Sequence, residues 1–167
     1  MKKKMIIFTG VDATGKSTIS SRMQKHLNWD LIHFDKVHSL EESKHINYKF
    51  LEEVNENILV DRYYMEEIVY APIYRGYSAN YVADLEEKLL EKFDVAIVYT
   101  TADTKVIEER FRTRGEDSTK ASDIDTLKEN YINFLDKSLI KTVIKVDTTK
   151  EFDKESENKL VEVLKNV

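Results

Sequence analysis

Short apolar runs alternate along this chain with stretches whose apolar residues recur every three or four positions. Met5 to Thr9 (MIIFT) reads as a strand, and Lys16 to Leu27 as a helix with Ile19, Met23 and Leu27 on one face. Residues Asp30 to Phe34 make a second short strand, ahead of a helical stretch to about Val54. NILVD, Asn57 to Asp61, makes a third strand, and two helical segments parted near Pro72 and Gly76 follow it. Val95 to Tyr99 is a buried-type strand and Thr104 to Arg114 a helix stopped by Gly115. Ser122 opens a further helix with an S-x-x-D capping box, and Thr142 to Val146 is a last strand before an amphipathic helix carrying Leu160, Val161 and Leu164. Strands separated by helices need crossover connections, so the pattern predicts a five-stranded, mostly parallel α/β sheet with helices on both faces. Ligands of such a sheet bind beyond the carboxyl ends of its strands.

The length of 167 residues suits a single domain spanning 1–167. A net charge of −5 argues against a broad nucleic-acid-binding face. The absence of cysteine excludes disulfides, thiolate catalysis and cysteine-rich zinc sites, and suits a reducing cytoplasm. MKKKMIIFTG stops being apolar too early for a signal peptide, and no window has the length of a membrane span. A soluble, cytoplasmic protein is therefore expected.

The loop after the first strand carries the clearest chemistry. GVDATGKST fits G-x-x-x-x-G-K-[ST] with Gly10, Gly15, Lys16 and Ser17 in place. Glycines let the chain curl so that the amides of Asp12, Ala13, Thr14, Gly15 and the following Lys16, Ser17 and Thr18 converge on phosphate oxygens, with a helix dipole behind them. The Lys16 ammonium reaches the terminal phosphates, and the Ser17 hydroxyl is a ligand for Mg²⁺. Together they specify a nucleoside triphosphate site, with ATP the expected donor. NILVD supplies a carboxylate, Asp61, suited to hold that metal through water; an ordinary strand followed by a capping aspartate would look the same.

Only six of the 26 cationic side chains are arginine, and three of those fall in ERFRTRGED at Arg110, Arg112 and Arg114. Arg110 and Arg114 lie one helical turn apart and can face one ligand, while Arg112 points elsewhere. Guanidinium groups clamp phosphate in two-pronged fashion and stabilise charge on a moving phosphoryl group, although cations also complement a helix C-terminus. The polar segment that follows, Gly115 to Asp123, has little to anchor it and suits a lid over the phosphates, roughly 110–123.

These pieces resemble thymidylate kinase and its nucleoside monophosphate kinase relatives. The likeness lies in GVDATGKST, in DRYYMEEIVY (Asp61 to Tyr70) and in the strand and lid segment from Val95 to Glu116. The resemblance implies a three-layer P-loop kinase fold, and transfer of the ATP γ-phosphoryl to a deoxynucleoside monophosphate, dTMP or a related deoxypyrimidine nucleotide. It also implies a homodimer. It assigns Asp12 to the acceptor sugar, Arg62 to the acceptor phosphate, Asp61 to the metal and transferred group, and Tyr70 to the sugar or base. Ala13 stands where some members carry a catalytic arginine, which leaves that work to Arg110, Arg112 and Arg114. The chain departs from the family at Glu66, where a serine-like residue is usual, and at HFDKVH (33–38), which replaces an arginine-bearing loop.

Asp35 follows the second strand at the ligand edge. It is either a helix N-cap or a base for a hydroxyl acceptor, on a deoxynucleoside or on DNA. Six of the nine tyrosines lie between Tyr63 and Tyr81, and the spacing of Tyr70, Tyr74, Tyr77 and Tyr81 predicts a packed helix face. Tyr48 and Phe50 are further candidates for base stacking, and Arg75 is expected to border the acceptor pocket. The four histidines form no metal pattern and read as structural or surface groups. A nucleotide-binding switch without an acceptor is the third reading; Arg62 and the lid arginines weigh against it.

Overall fold

The computed structural model describes residues 1–114 and 119–167. Its strands are β1 (Lys3–Gly10), β2 (Asp30–His33), β3 (Ile58–Asp61), β4 (Phe93–Thr101) and β5 (Val143–Asp147). The helices are α1 (Lys16–Leu27), α2 (Leu40–Glu53), α3 (Tyr64–Tyr74), α4 (Val82–Lys92), α5 (Thr104–Arg114), α6 (Ile124–Lys137) and α7 (Lys154–Lys165). The strands form one sheet in the order β2-β3-β1-β4-β5, every pairing parallel. The predicted sheet is thus observed.

β1 and β4 are apolar throughout their centres because both of their faces are covered. Along β1, Met5 and Ile7 point into a cluster with Tyr64, Leu85, Leu89 and Tyr131. Ile6 and Phe8 point the other way, onto Ile19 and Met23 of α1 and Leu160 and Leu164 of α7. The first cluster is completed by α2 to α6 and the second by α1 and α7. Register then places the chemistry: Phe8 lies opposite Asp61 on one side, and Gly10 opposite Thr100 on the other.

The two helices part near Pro72 and Gly76 as expected, between Tyr74 and Val82, while two other local expectations are corrected. Pro72 itself lies inside α3, and Arg75 N still donates to Ala71 O at 2.9 Å. Proline removes only its own donor this near the helix end, and the turn falls at Gly76, where φ is +70°. Tyr77 and Tyr81 accordingly lie beyond α3, so the four tyrosines do not share a helix face. The capping box at Ser122 does not form either. Ala121–Asp123 is a 3₁₀ turn, and no side chain caps α6. Asp125, the acid of that box, accepts instead from the Thr104 hydroxyl.

One buried carboxylate fastens the helical layer. Glu86 of α4 is 2% exposed and accepts from Tyr64 OH at 2.9 Å, Ser138 Oγ at 2.8 Å and Leu139 N at 2.8 Å. Glu86→Ala removes the acceptor of three donors, two of them buried, at about 1–3 kcal/mol for each buried unsatisfied group. A fall in melting temperature of several degrees is expected by calorimetry; an unchanged transition would show that these bonds do not fasten the layer.

Candidate active site

The chain leaving β1 curls because β4 leaves it no alternative. A Cβ on Gly10 would stand 2.2 Å from Thr100 O, and the residue sits at φ +147°. Gly15, at φ +87°, and Ala13, at φ +64°, complete the left-handed turns of the loop. Thr14 Oγ1 donates to Val11 O at 2.6 Å and lies 2.7 Å from Thr100 Oγ1, pinning the curl from within. No side chain caps the start of α1, and no acid lies in its first turn, so its amides present positive potential to a ligand. Lys16 is 5% exposed; its Nζ donates to Gly10 O at 2.7 Å and stands 3.6 Å from Glu66 and 3.8 Å from Asp12.

Ser17 Oγ donates to Asp61 Oδ2 at 2.8 Å, and His33 Nδ1 lies 2.9 Å from the same oxygen. The other oxygen, Asp61 Oδ1, is buried and has no partner among the described residues. A hydroxyl and a carboxylate beside the phosphate loop, with one oxygen left over, fit a hard divalent cation held partly through water. His33, expected to be structural or at the surface, is held against this carboxylate.

Immediately after Asp61 the backbone takes two left-handed steps, Arg62 at φ +82° and Tyr63 at φ +71°. Such conformations cost of order 1–3 kcal/mol each and persist where packing forces them. Here Tyr63 is clamped among Phe34, Phe50 and Tyr64. The strain turns Arg62 toward Asp12, 3.7 Å away, and leaves Arg62 Nε buried without an acceptor among the described residues. Burial works against the Arg62 cation, but the carboxylates of Glu66, Asp12 and Asp61 outweigh it and raise its pKa. Burial likewise pushes Asp12 upward, yet Lys16, the Thr119 hydroxyl and Arg62 bring it below its ordinary value. Burial raises Glu66, with Lys16 opposing and Asp12 adding to the rise.

Two pockets open on this cluster. The first is lined by the phosphate loop and α1 from Asp12 to Ile19 (except Thr14), with Arg22, Arg110, Arg114, Thr148, Lys150 and Phe152 around it. Arg110 is not turned freely into it. Its Nη1 donates to Ala13 O at 3.0 Å and Thr148 Oγ1 at 3.1 Å, while Nη2 donates to Thr148 O. It therefore ties the phosphate loop to the turn after β5. Arg114 lines the pocket, and Arg112 is exposed and does not. The centre of the expected lid, 115–118, lies outside the described residues. At its far end Thr119 Oγ1 donates to Asp12 Oδ2 at 2.9 Å, and Lys120 N donates to Tyr74 OH at 3.3 Å.

The second pocket is lined by Asp12, Arg62, Tyr70 and Arg75, all anticipated, together with Phe34, Asp35, Lys36, Tyr63, Glu66 and Glu67. Asp12 N donates to Tyr70 OH at 3.1 Å, fixing the ring against the loop. Asp35 is exposed in the connection after β2, which stops at His33; the cap of α2 is Ser39, accepting from Glu42 N at 3.1 Å, so Asp35 is not an N-cap. Tyr48 and Phe50 line neither pocket. Arg22, whose guanidinium lies 5.8 Å over the Phe152 ring, and Glu67 were not singled out from sequence. Arg22 lies on the same helix as Lys16 and could have been suspected. The loop after the last strand, Asp147 to Lys150, reads from sequence either as a cover for the donor base or as a plain strand-to-helix connection, and its Thr148 and Lys150 line the first pocket.

A parallel sheet in this order, with a phosphate-binding curl after β1 and a carboxylate ending β3, defines the P-loop nucleotide kinase superfamily. The chain belongs within it to the YorR family. It is 33% identical over 135 residues to the SPbeta prophage-derived uncharacterized protein YorR of Bacillus subtilis (strain 168), covering 76% of this chain and 79% of that protein. A crystal structure of YorR in complex with phosphorylated GDP matches with a TM-score of 0.78 at 25% identity, over 96% of this chain and 95% of that one. Thymidylate kinase from Candida albicans shares the fold with a TM-score of 0.68 at 18% identity, covering 99% of this chain and 92% of that chain. Deoxyadenosine kinase from M. mycoides, with dCMP and dCDP, shares it with a TM-score of 0.67 at 19% identity, covering 98% and 100%. No protein-family model matches the chain.

Arg110 and Arg112 of α5 should separate on substitution. Arg110→Ala is expected to weaken triphosphate binding about tenfold or more, because it frees two loops at once. Arg112→Ala should leave binding within about twofold, as for an exposed side chain away from the site. Titration calorimetry with an ATP analogue decides, and equal effects of the two substitutions would dismiss the bridging role of Arg110.

Proposed function

We propose that this protein is a Mg²⁺-dependent phosphotransferase that moves the γ-phosphoryl group of ATP to a nucleotide acceptor. The observation that carries the reading is that the two pockets share two residues, Asp12 and Arg62, with Lys16 beside them. A donor held in the first pocket by the phosphate loop puts its terminal phosphate at this shared wall. An acceptor in the second pocket meets it there. Phosphoryl transfer asks little covalent chemistry of a protein, and positioning with charge stabilisation supplies most of the rate.

In this scheme Lys16 and the amides from Ala13 to Thr18 hold the donor phosphates, and Arg114 adds charge from the lid helix. Ser17 and Asp61 would hold Mg²⁺, which when bound neutralises charge on the bridging phosphates. Arg62, which lines both pockets, grips an anionic acceptor, and Asp12 anchors the acceptor sugar. A switch protein has no need for a second pocket opening on the terminal phosphate. The phosphorylated GDP bound by YorR and the nucleotide kinases sharing the fold support nucleotides as ligands here. A deoxynucleoside monophosphate follows from the resemblance to thymidylate kinases, with dTMP or a related deoxypyrimidine nucleotide foremost.

A hydroxyl acceptor is the second reading, and Asp35 favours it. This carboxylate lines the acceptor pocket and makes no helix cap, so it is placed to receive a proton. Labelled ATP offered against a panel of nucleoside monophosphates, nucleosides and a DNA oligonucleotide identifies the acceptor. Lys16→Ala should reduce transfer by several orders of magnitude while the melting transition persists; full activity would refute the scheme. Asp35→Asn should slow transfer to a hydroxyl far more than transfer to a phosphate, whose oxygen is already ionised.

A further inference from the structure

Glu67 and Arg75 form a buried pair in the wall of the second pocket that the transfer chemistry does not use. Glu67 is 5% exposed, yet it lies on the same pocket as Asp12 and Arg62. One of its oxygens is paired with Arg75 Nη1, and the other accepts from Tyr77 OH. Arg75 stands at the end of α3 and its side chain returns along the helix to reach Glu67, eight residues earlier. A buried ion pair gains little stability over an apolar replacement, so its presence in a ligand cavity asks for a reason.

The pocket has two ends. Asp12, Arg62 and Glu66 form the end that meets Lys16 and the donor. An acceptor whose reacting group sits there has the remaining Glu67–Arg75 wall to lay its base against, with the rings of Phe34 and Tyr70 in the same lining. A guanidinium has five N–H donors and a carboxylate about four acceptor sites, so mutual pairing leaves both with capacity. Side by side they present a row of donor next to acceptor.

We propose that the Glu67–Arg75 pair reads the acceptor base and selects one carrying an exocyclic amine over thymine or uracil. Guanine fits with O6 accepting from Arg75 and with N1–H and the 2-amine donating to Glu67. Cytosine fits with the row reversed, its 4-amine on Glu67 and N3 and O2 on Arg75. Adenine offers the 6-amine beside N1. Thymine offers one N–H between two carbonyl oxygens, so a carboxylate that accepts from N3–H faces a second oxygen it repels. A site built on buried hydrogen-bonding groups rejects the wrong partner strongly, because its own groups are then left unpaired. Tyr77, by donating to Glu67, sets the carboxylate plane. A phenol is protonated at neutral pH and so donates, and burial of Tyr77 with its bond to Glu67 pushes its pKa further up, to about 12.

This inference rests on the second pocket being the acceptor site, and departs from the thymine that the family resemblance implies. Calorimetric titration of the wild-type chain with guanine, cytosine, adenine and thymine deoxynucleosides and their 5′-monophosphates tests it directly. At least one amine-bearing base should bind about tenfold or more tighter than thymine in the same series. Glu67→Gln should bring that ratio toward one, chiefly by weakening the amine-bearing ligand, with ATP-analogue affinity retained because Glu67 does not line the donor pocket. Tyr77→Phe, which keeps both charges, should move the ratio in the same direction by less, and serves if Glu67→Gln does not fold. Thymine binding as tightly as every other base, or a ratio unmoved in the folded variant, overturns the proposal. The labelled-ATP assay run alongside separates the two ideas: base-selective binding without transfer removes the phosphotransferase reading alone, and transfer with thymine preferred removes this one alone.

Discussion

The close approach of β1 to β4 at Gly10 and Thr100 is the constraint on which the site depends. Eight consecutive residue pairs bring the two strands together in parallel register, and at the last of them there is no room for a side chain. Unable to continue as a strand past the edge of β4, the chain turns back over it and enters α1. Thr100 takes part twice, through the carbonyl that forbids a Cβ and through a hydroxyl bonded to Thr9 O at 3.2 Å and close to Thr14. The curl is thus a product of sheet register, and a phosphate enters a cradle whose amides are already aimed. Preorganisation of this kind spares the ligand the entropy of ordering a loop.

On the other side of β1, the pairing with β3 does for charge what β4 does for shape. Phe8 opposite Asp61 brings the end of β3 level with the start of the loop, so that Ser17, Asp61, Arg62, Asp12, Lys16 and Glu66 converge. So many charges out of water are tolerable only in mutual contact. Without nucleotide the Lys16 ammonium is satisfied by Gly10 O and by the carboxylates of Asp12 and Glu66. In the proposed donor complex a polyphosphate replaces those partners with stronger ones. Glu66 makes this exchange harder than a serine would, since a nearby anion competes for Lys16 and repels phosphate. Its raised pKa reflects the same tension between burial and the lysine beside it.

Sequence made the fold legible because strand and helix periods differ so plainly here, and because buried parallel strands are apolar without interruption. GVDATGKST was legible for a different reason, since its glycines answer a steric need that few other sequences meet. What could not be read is whatever depends on a partner brought in by tertiary packing. Arg110 reads from sequence as a phosphate ligand or as a cation at a helix end, and neither reading contains its bond to Thr148, which is distant in sequence. Ser122 and Asp125 have the spacing of a capping box, but Asp125 is claimed by Thr104. His33 has no motif around it and gains its place through the register of β2 with β3, which sets it opposite Asp61. Glu67 and Arg75 are separated along α3 by two turns, and nothing in their spacing announces that one side chain folds back onto the other.

The bridge made by Arg110 ties α5 into the site. A guanidinium spread over Ala13 O, Thr148 Oγ1 and Thr148 O joins three segments that each border the first pocket: the phosphate loop, the turn after β5 and α5. Thr148 Oγ1 itself donates onward to Thr14 O at 2.8 Å, closing the circuit. Movement of α5 therefore cannot leave the phosphate loop undisturbed. At the opposite end of the undescribed segment Thr119 is bonded to Asp12, and Lys120 reaches Tyr74 through its amide. Both described flanks of residues 115–118 are thus fastened to the phosphate loop, one through Ala13 and one through Asp12, and the second of those residues lines both pockets. If the two pockets hold donor and acceptor as proposed, coupling between them needs no long pathway, because one short loop carries contacts to both.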